Sequence, residues 1–243
     1  MYKVTTMSGT FKTFLKFLSE LENEAKVELT AEGIHARVVD PANAALIDVT
    51  LDKAAFLEYN VEPTVIGLDL GKINRVISSA GKLSEITLEE VDGKTNISFD
   101  GMEFEVKLLA PDTMKATCRI PTIPFTVVCS IDSVFIVSII NGAKSVISDD
   151  IKTTGGNVVI ATENDMMTFI AESNEGDKFK FPVNVGGNNR ATTAMYAFPY
   201  FKVIGMFEGE IELSYGKDIP SFWKSRNEEM TVIYMIAPRI GEN

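Results

Sequence analysis

Few residues of this chain are equipped for covalent chemistry. His35 is the one histidine in the sequence, so neither an imidazole metal cluster nor several nucleophile–base pairs can be assembled. Adjacent carboxylates such as Asp149 with Asp150 or Glu89 with Glu90 could serve acid–base work, yet such neighbours on loops and strand ends are far more often solvated surface. Cys118 and Cys129 lack a Cys-x-x-Cys spacing, and the pairs Gly155-Gly156 and Gly186-Gly187 mark turns without the strand–helix setting of a phosphate cradle. Neither a Gly-x-Ser-x-Gly elbow nor a Walker lysine loop occurs. What the spacing does supply is paired cations, Lys12 with Lys16 and Lys72 with Arg75, each pair on one face of a helix. Their chemistry is ionic: they can meet phosphate oxygens without reading bases, or simply solvate the outer face of an amphipathic helix.

The elements that position those cations follow from hydrophobic period. Four windows have helical spacing. Residues 8–21 carry Phe11, Leu15, Leu18 and Leu21 on one side behind Ser8 as N-cap; residues 69–81 carry Ile73, Val76, Ile77 and Ala80 and close on Gly81. Residues 132–147 set Phe135, Ile139 and Ala143 in register, and residues 199–206 open on Pro199. The rest alternates as strands do, at 26–30, from Ile34, and at 45–51, 84–90, 95–99 and 103–109, with Asp92-Gly93 and Asp100-Gly101 as turns. His35 falls on the polar side of one alternating stretch and reads as a solvated strand residue.

These windows occur twice. Phe11 and Phe135 open matching helices 124 positions apart, and Ile73 and Val76 answer Phe198 and Phe201 at a spacing of 125. The fold class is therefore α+β, two tandem similar domains of antiparallel sheet with two helices each. The divisions are 1–109, a connector at 110–124 that holds Pro111, Pro121 and Pro124, and 125–243.

Charge is distributed unevenly. The chain has 23 Lys and Arg against 34 Asp and Glu, a net −11, which taken alone repels polyanions. Residues 8–19, 69–82, 131–147 and 190–206 hold eight basic residues (Lys12, Lys16, Lys72, Arg75, Lys82, Lys144, Arg190, Lys202) and only Asp69 and Asp132, leaving −17 for the remainder. Two cysteines make no disulfide framework, and Met1 to Val4 opens no signal peptide, so the expected setting is intracellular with no membrane segment.

The stretch from Ala31 to Asp48, with Gly33, Arg37, Asp40, Pro41 and Leu46, the run Ile120-Pro121-Thr122-Ile123-Pro124, Ile219-Pro220, and the terminal Ile236-Ala237-Pro238-Arg239-Ile240 lie in an order and spacing that resembles the proliferating cell nuclear antigen family, the archaeal and eukaryotic DNA polymerase sliding clamps. The resemblance implies the DNA clamp fold, three subunits closing into a six-domain ring, and helices lining a central hole. It implies a non-enzymatic processivity factor without cofactor or metal that encircles duplex DNA. Replicative polymerase, clamp loader, flap endonuclease and ligase would dock on it through a short helical anchor. Lys12, Lys16, Lys72, Arg75, Lys82, Lys144 and Lys202 match its DNA-facing positions. Val39, Ala44, Leu46, Ile120, Ile123, Pro220, Met235, Ile236, Ala237 and Pro238 match its partner-peptide pocket, although each taken singly is equally a packing residue. Glu103, Phe104, Glu105, Val106, Lys107 and Leu108 match one side of the joint between subunits, and Lys178, Phe179, Lys180 and Phe181 the other.

Two departures keep alternatives open. The window 132–147 holds only Lys144 where family members carry more positive charge, and Phe222 to Arg226 does not follow the family pattern. A homotrimer, a subunit of a heterotrimeric ring, a diverged clamp paralogue, and a β-rich interaction module that encloses nothing are the readings to separate. Localisation would be cytoplasm or nucleoid in an archaeon and nucleus in a eukaryote.

Overall fold

The computed structural model describes residues 1–148, 150–153 and 155–240; Asp149, named above as half of a carboxylate pair, lies outside them. The chain separates into two compact units, residues 1–119 with Arg226–Val232, and Ile120–Ser225 with the chain from Ile233 on.

In the first unit the order is β1 (Tyr2–Met7), α1 (Ser8–Ser19), β2 (Glu24–Leu29), β3 (Gly33–Val39), β4 (Ala45–Asp52), β5 (Phe56–Val61), β6 (Thr64–Asp69), α2 (Leu70–Ile77), β7 (Glu85–Val91), β8 (Lys94–Phe99) and β9 (Met102–Val106). One sheet runs β5-β1-β7-β8-β9, and a second set pairs in the order β4-β3-β2-β6, all antiparallel. The hairpins at Asp92-Gly93 and Asp100-Gly101 turn on positive φ at both residues, 51° and 75°, then 49° and 75°, as a two-residue turn matched to strand twist requires. Phe11, Phe14, Leu15 and Leu18 of α1 and Leu70, Ile73 and Ile77 of α2 are buried with Val4, Leu29, Ile86 and Leu88 of the strands. Each such side chain contributes about 1.5–3 kcal/mol of burial.

The second unit holds β10 (Val127–Asp132), α3 (Ser133–Ile147), the single turn α4 (Asp150–Thr153), β11 (Asn157–Glu172), β12 (Lys178–Ala197), α5 (Phe201–Ile204), β13 (Glu210–Tyr215) and β14 (Ser221–Arg226); β15 (Met230–Ile236) contains the boundary between units. Its ladders repeat those of the first. Met7 pairs with Glu85 and Asp132 with Glu210, a displacement of 125 on both strands. The β2–β6 and β3–β4 ladders are answered by two stretches of the β11–β12 ladder, which changes register around Asn164, a residue at φ 55°. Trp223, Tyr215, Phe169 and Phe201 are among its fully buried side chains.

The local chemistry of helix ends differs from expectation at three places. Ser8 is the first helical residue and not the cap: Met7 occupies that position, the Ser8 and Gly9 N–H groups donate to the Ser84 and Lys82 carbonyls at 2.8 and 3.1 Å, and Ser8 Oγ is buried without a partner among the described residues. Asp69 and Asp132 do cap α2 and α3, accepting from Lys72 N and Val134 N at 2.8 Å each. α2 stops at Ile77 and not at Gly81, because Ser78 Oγ donates to the Arg75 carbonyl at 2.8 Å and the following residues turn more tightly.

Two further expectations shift. On α3 the buried stripe is Ile136, Ile139, Ala143 and Ile147, while Phe135 is 42% exposed. The strand expected over 103–109 ends at Val106, because Leu109 pairs instead with Gly67; the Leu109 carbonyl lies 2.6 Å from where a Cβ on Gly67 would be, an approach only glycine allows. The window at 199–206 is a 3-10 turn, Phe198–Tyr200, followed by α5.

Candidate nucleic-acid interface

In the first unit α1 and α2 lie side by side, joined where Asn74 Nδ2 donates to Ser19 Oγ at 3.1 Å. Their apolar sides pack on strands, which leaves Lys16 and Arg75 exposed and Lys12 and Lys72 half-buried. Lys12 Nζ donates to the Ala80 carbonyl at 2.6 Å and to that of Ser78 at 3.3 Å, past the end of α2. Lys72 Nζ donates to the Lys107 carbonyl at 3.3 Å. Lys82 is exposed and its stem crosses α1 at Gly9, whose missing Cβ would lie 3.3 Å from Lys82 Cγ. The five candidate cations of this unit therefore divide. Lys16, Arg75 and Lys82 present charge to solvent; Lys12 and Lys72 are tied to backbone carbonyls.

In the second unit Lys144 and Lys202 are exposed, as is Arg190. α3 shows solvent more carbon than charge, with Val134 68%, Phe135 42% and Val137 49% exposed. Acidic residues stand on strands: Glu85, Glu89 and Glu90 on β7, Glu103 and Glu105 on β9, Glu210 and Glu212 on β13.

Among the edge strands of the described residues are the two expected at a joint between subunits. β9 ends its sheet, and β12 has β11 as its only ladder partner. Glu103, Phe104, Glu105 and Val106 lie on β9, whereas Lys107 and Leu108 have left the ladder; Lys178, Phe179, Lys180 and Phe181 open β12.

The candidate pocket residues fall in both units, and each set is placed by its own. In the first, Asp40 organises the turn after β3, its Oδ1 accepting from Ala44 N and Ala45 N at 2.7 Å each, with Asn43 at φ 55°. That rigid turn leaves Val39 and Ala44 half-buried and sends Leu46 into the core. In the second, Ile120, Ile123, Pro220, Ala237 and Pro238 are half-buried, while Met235 and Ile236 are buried. Arg239 N donates to the Met195 carbonyl at 2.7 Å and pins the tail.

His35 is half-buried and paired, not a freely solvated strand residue. Its Nε2 lies 2.8 Å from Asp48 Oδ2 and its Nδ1 3.5 Å from Glu28, while Arg37 Nε donates to Asp48 Oδ2 at 2.5 Å and Arg37 Nη1 to the Cys118 carbonyl at 2.7 Å. The Asp48 hydrogen bond raises the His35 pKa against the opposing effect of burial, and the Glu28 carboxylate adds to it. Burial pushes the Cys129 thiol up to about 11, which leaves it a poor nucleophile. Among the described residues no group of His, Cys, Asp and Glu could hold a metal ion, and no helix is long and apolar enough to cross a membrane.

Residues 2–109 match the model of the proliferating cell nuclear antigen N-terminal domain. The DNA polymerase sliding clamp of Methanocorpusculum labreanum is 28% identical over 252 aligned positions, covering 99% of both chains, and that of Haloarcula marismortui is 26% identical with the same coverage. The chain belongs to the proliferating cell nuclear antigen family. Two solved structures of that family share its fold. One holds the C-terminal region of FEN-1 bound to A. fulgidus PCNA, with TM-score 0.89 at 22% identity and full coverage of both chains. The other is the PCNA2–PCNA3 complex of Sulfolobus tokodaii, with TM-score 0.82 at 19% identity, covering 98% of this chain and 99% of that one.

In this clamp-family chain, sequence reasoning missed the His35–Asp48–Arg37 cluster. Arg37 and Asp48 are directly opposed in the β3–β4 register, so the signal was present but readable only once the hairpin register was fixed. It also missed that Lys12 terminates a neighbouring helix, for which no sequence signal exists.

Proposed function

We propose that this protein is the subunit of a DNA sliding clamp that closes as a three-membered ring around duplex DNA and tethers replication and repair enzymes to it. Each chain supplies two domains, residues 1–109 and 125–243, joined by residues 110–124. Its role is enclosure and not catalysis; it needs no cofactor and works inside the cell. The observation that carries this reading is the segregation of charge: exposed Lys16, Arg75 and Lys82 sit on and beside adjoining helices of a protein with net charge −11, whose acidic residues lie mostly on strands and in loops outside those helices. Ammonium and guanidinium groups on a helical surface bind phosphates weakly, without base contacts and with strong salt dependence, which suits a ring that must slide. The names of the relatives, DNA polymerase sliding clamps, support the same reading.

Partner enzymes would dock by an apolar anchor on the residues that match the family's partner-peptide pocket, Val39, Ala44, Leu46, Ile120, Ile123, Pro220, Met235, Ile236, Ala237 and Pro238. The relative solved with the C-terminal region of FEN-1 makes a flap endonuclease tail the first peptide to try.

The test is retention on DNA after loading. The ring should stay on a nicked circular plasmid and leave when the plasmid is cut, and Lys16→Ala with Arg75→Ala and Lys82→Ala should shorten retention without changing native mass. Equal retention on linear and circular DNA would defeat enclosure.

A further inference from the structure

In the first unit one cross-strand row runs from β6 to β4. Gly67 pairs with Lys26, Arg37 pairs with Asp48, and the neighbouring pair of Val27 with Ala36 sets Lys26 beside Arg37, so the row shares one face of the sheet. The chain that leaves β9 follows this row. Its Leu109 carbonyl and Met114 Sδ come down on Gly67, 2.6 and 2.7 Å from where a Cβ would be, and its Cys118 carbonyl accepts from Arg37 Nη1 at 2.7 Å. Residues 109–118 thus form a strap with two anchors. At Gly67 the anchor is backbone on backbone, Leu109 N donating to the Gly67 carbonyl at 2.9 Å; at the far end it is one guanidinium.

The strap is longer than the gap it crosses. Gly67 and Arg37 stand two strands apart, about 10 Å, whereas residues 109–118 would span about 30 Å if extended. The 3-10 turn Pro111–Thr113 takes up part of the difference. Lys115 to Arg119 are all exposed, so burial does little to hold this half, and among the described residues the Cys118 carbonyl is its only group in a hydrogen bond. Arg37 is well placed for that grip. Its Nε donates to Asp48 Oδ2 at 2.5 Å, the same oxygen lies 2.8 Å from His35 Nε2, and Asp48 is buried. A guanidinium is planar, so fixing its Nε aims its Nη1 as well.

We infer that Arg37, aimed by Asp48 and His35, is the positioning residue of the connector: it fixes where the slack strap ends, and so where Ile120 and Ile123 start. The inference rests on the reading of those two residues as part of the partner-peptide pocket, and adds what places them. Without the Arg37 bond the end of the strap is free to wander while β6, β2, β3 and β4 stay paired. An incoming peptide must then order the strap as it binds, and that ordering costs affinity.

The experiment compares the full-length wild type with Arg37→Gln and Arg37→Lys, each checked for folding by circular dichroism. Lysine keeps a cation beside Asp48 but lacks the second arm of the fork, so it serves even if the glutamine variant does not fold. A nitroxide label goes on exposed Cys118, since Cys129 is half-buried with its thiol pushed up to about 11; the label occupies the side chain and leaves the carbonyl to Arg37. In wild type the label should be restricted and should change little when a flap endonuclease tail peptide is added. In the folded variants it should be mobile until the peptide quiets it, and the peptide Kd, measured on unlabelled protein, should rise by about tenfold. A role in stability alone would shift unfolding without freeing the label in the folded state. A label as restricted in a folded variant as in wild type overturns the inference, and so does a freed label with an unchanged Kd. If wild type does not bind the peptide but the variants still free the label, the pocket reading fails and the anchor stands.

Discussion

Lys12 leaves α1 to end α2, its ammonium donating to the Ala80 carbonyl at 2.6 Å and to the Ser78 carbonyl at 3.3 Å. Both carbonyls lie just past the last turn of α2, where backbone acceptors lack a helical partner and the helix presents its negative end, so the ammonium satisfies the one and complements the other. Lys16, one turn further along the same face, is exposed and makes no such bond.

The two lysines should therefore fail differently. Lys12→Ala is expected to cost about 1 kcal/mol, a fall of roughly 2–4 °C in Tm for a chain of this size. Lys16→Ala should leave Tm unchanged and shorten retention on circular DNA. Thermal unfolding and plasmid retention measured on both variants decide it; an unchanged Tm for Lys12→Ala would remove the helix-ending role.

The His35 cluster predicts a pH dependence with a definite sign. His35 has a raised pKa in the folded protein, so its contribution is fully present below the unfolded value of about 6.5 and is lost as pH rises through the folded value. For Asp48, burial works to raise the pKa, but the His35 hydrogen bond and the His35 and Arg37 charges outweigh it and the net shift is downward. Its contribution is present above about 4 and is lost as pH falls through the lowered value. Urea midpoints should thus be higher near pH 6 than near pH 8.5, by no more than about 1 kcal/mol given partial exposure, and His35→Gln should flatten that slope. A wild-type midpoint that does not change over this range would contradict it.

Much of the fold was legible because period and turn chemistry act locally. Asp92-Gly93 and Asp100-Gly101 specify their hairpins through positive φ, and the 125-residue displacement of Phe198 and Phe201 from Ile73 and Val76 recurs in the β1–β7 and β10–β13 ladders. What misled was chemistry supplied from elsewhere in the chain. Ser8 has the residue type of an N-cap, yet its own N–H and that of Gly9 donate to the Ser84 and Lys82 carbonyls, and Ser8 becomes the first helical residue with Met7 at the cap. Phe135 and Ile136 are adjacent apolar residues, and only packing decides that Ile136 goes inward. For the site, a lysine at helical spacing marks a face but not its partner, which is why Lys12 and Lys16 read alike in sequence and differ in structure.

The second unit offers its own reporter. Trp223 is the only tryptophan, fully buried, with Nε1 donating to Ser221 Oγ at 2.9 Å and its ring edge-on to Phe201 at 6.0 Å and 71°. Phe201 is itself fully buried in α5, so Phe201→Ala should cost about 3–5 kcal/mol. The loss should appear as an earlier transition in tryptophan fluorescence. A midpoint within error of wild type would mean that α5 does not anchor this core.

The approach of Leu109 to Gly67 makes a prediction for the opposite end of β9. A Cβ at position 67 would lie 2.6 Å from the Leu109 carbonyl and 2.7 Å from Met114 Sδ. The methionine is flexible and can move, but the carbonyl is backbone and accepts no relief without breaking the Leu109 N to Gly67 O bond of 2.9 Å. Gly67→Ala should therefore cost about 1–3 kcal/mol and detach the segment that follows β9. Limited proteolysis should then cut at Lys107 or Lys115 faster than in wild type, while β6 keeps its pairing with β2. If cleavage there is no faster, the bridge does not hold the segment, and the end of β9 at Val106 needs another cause.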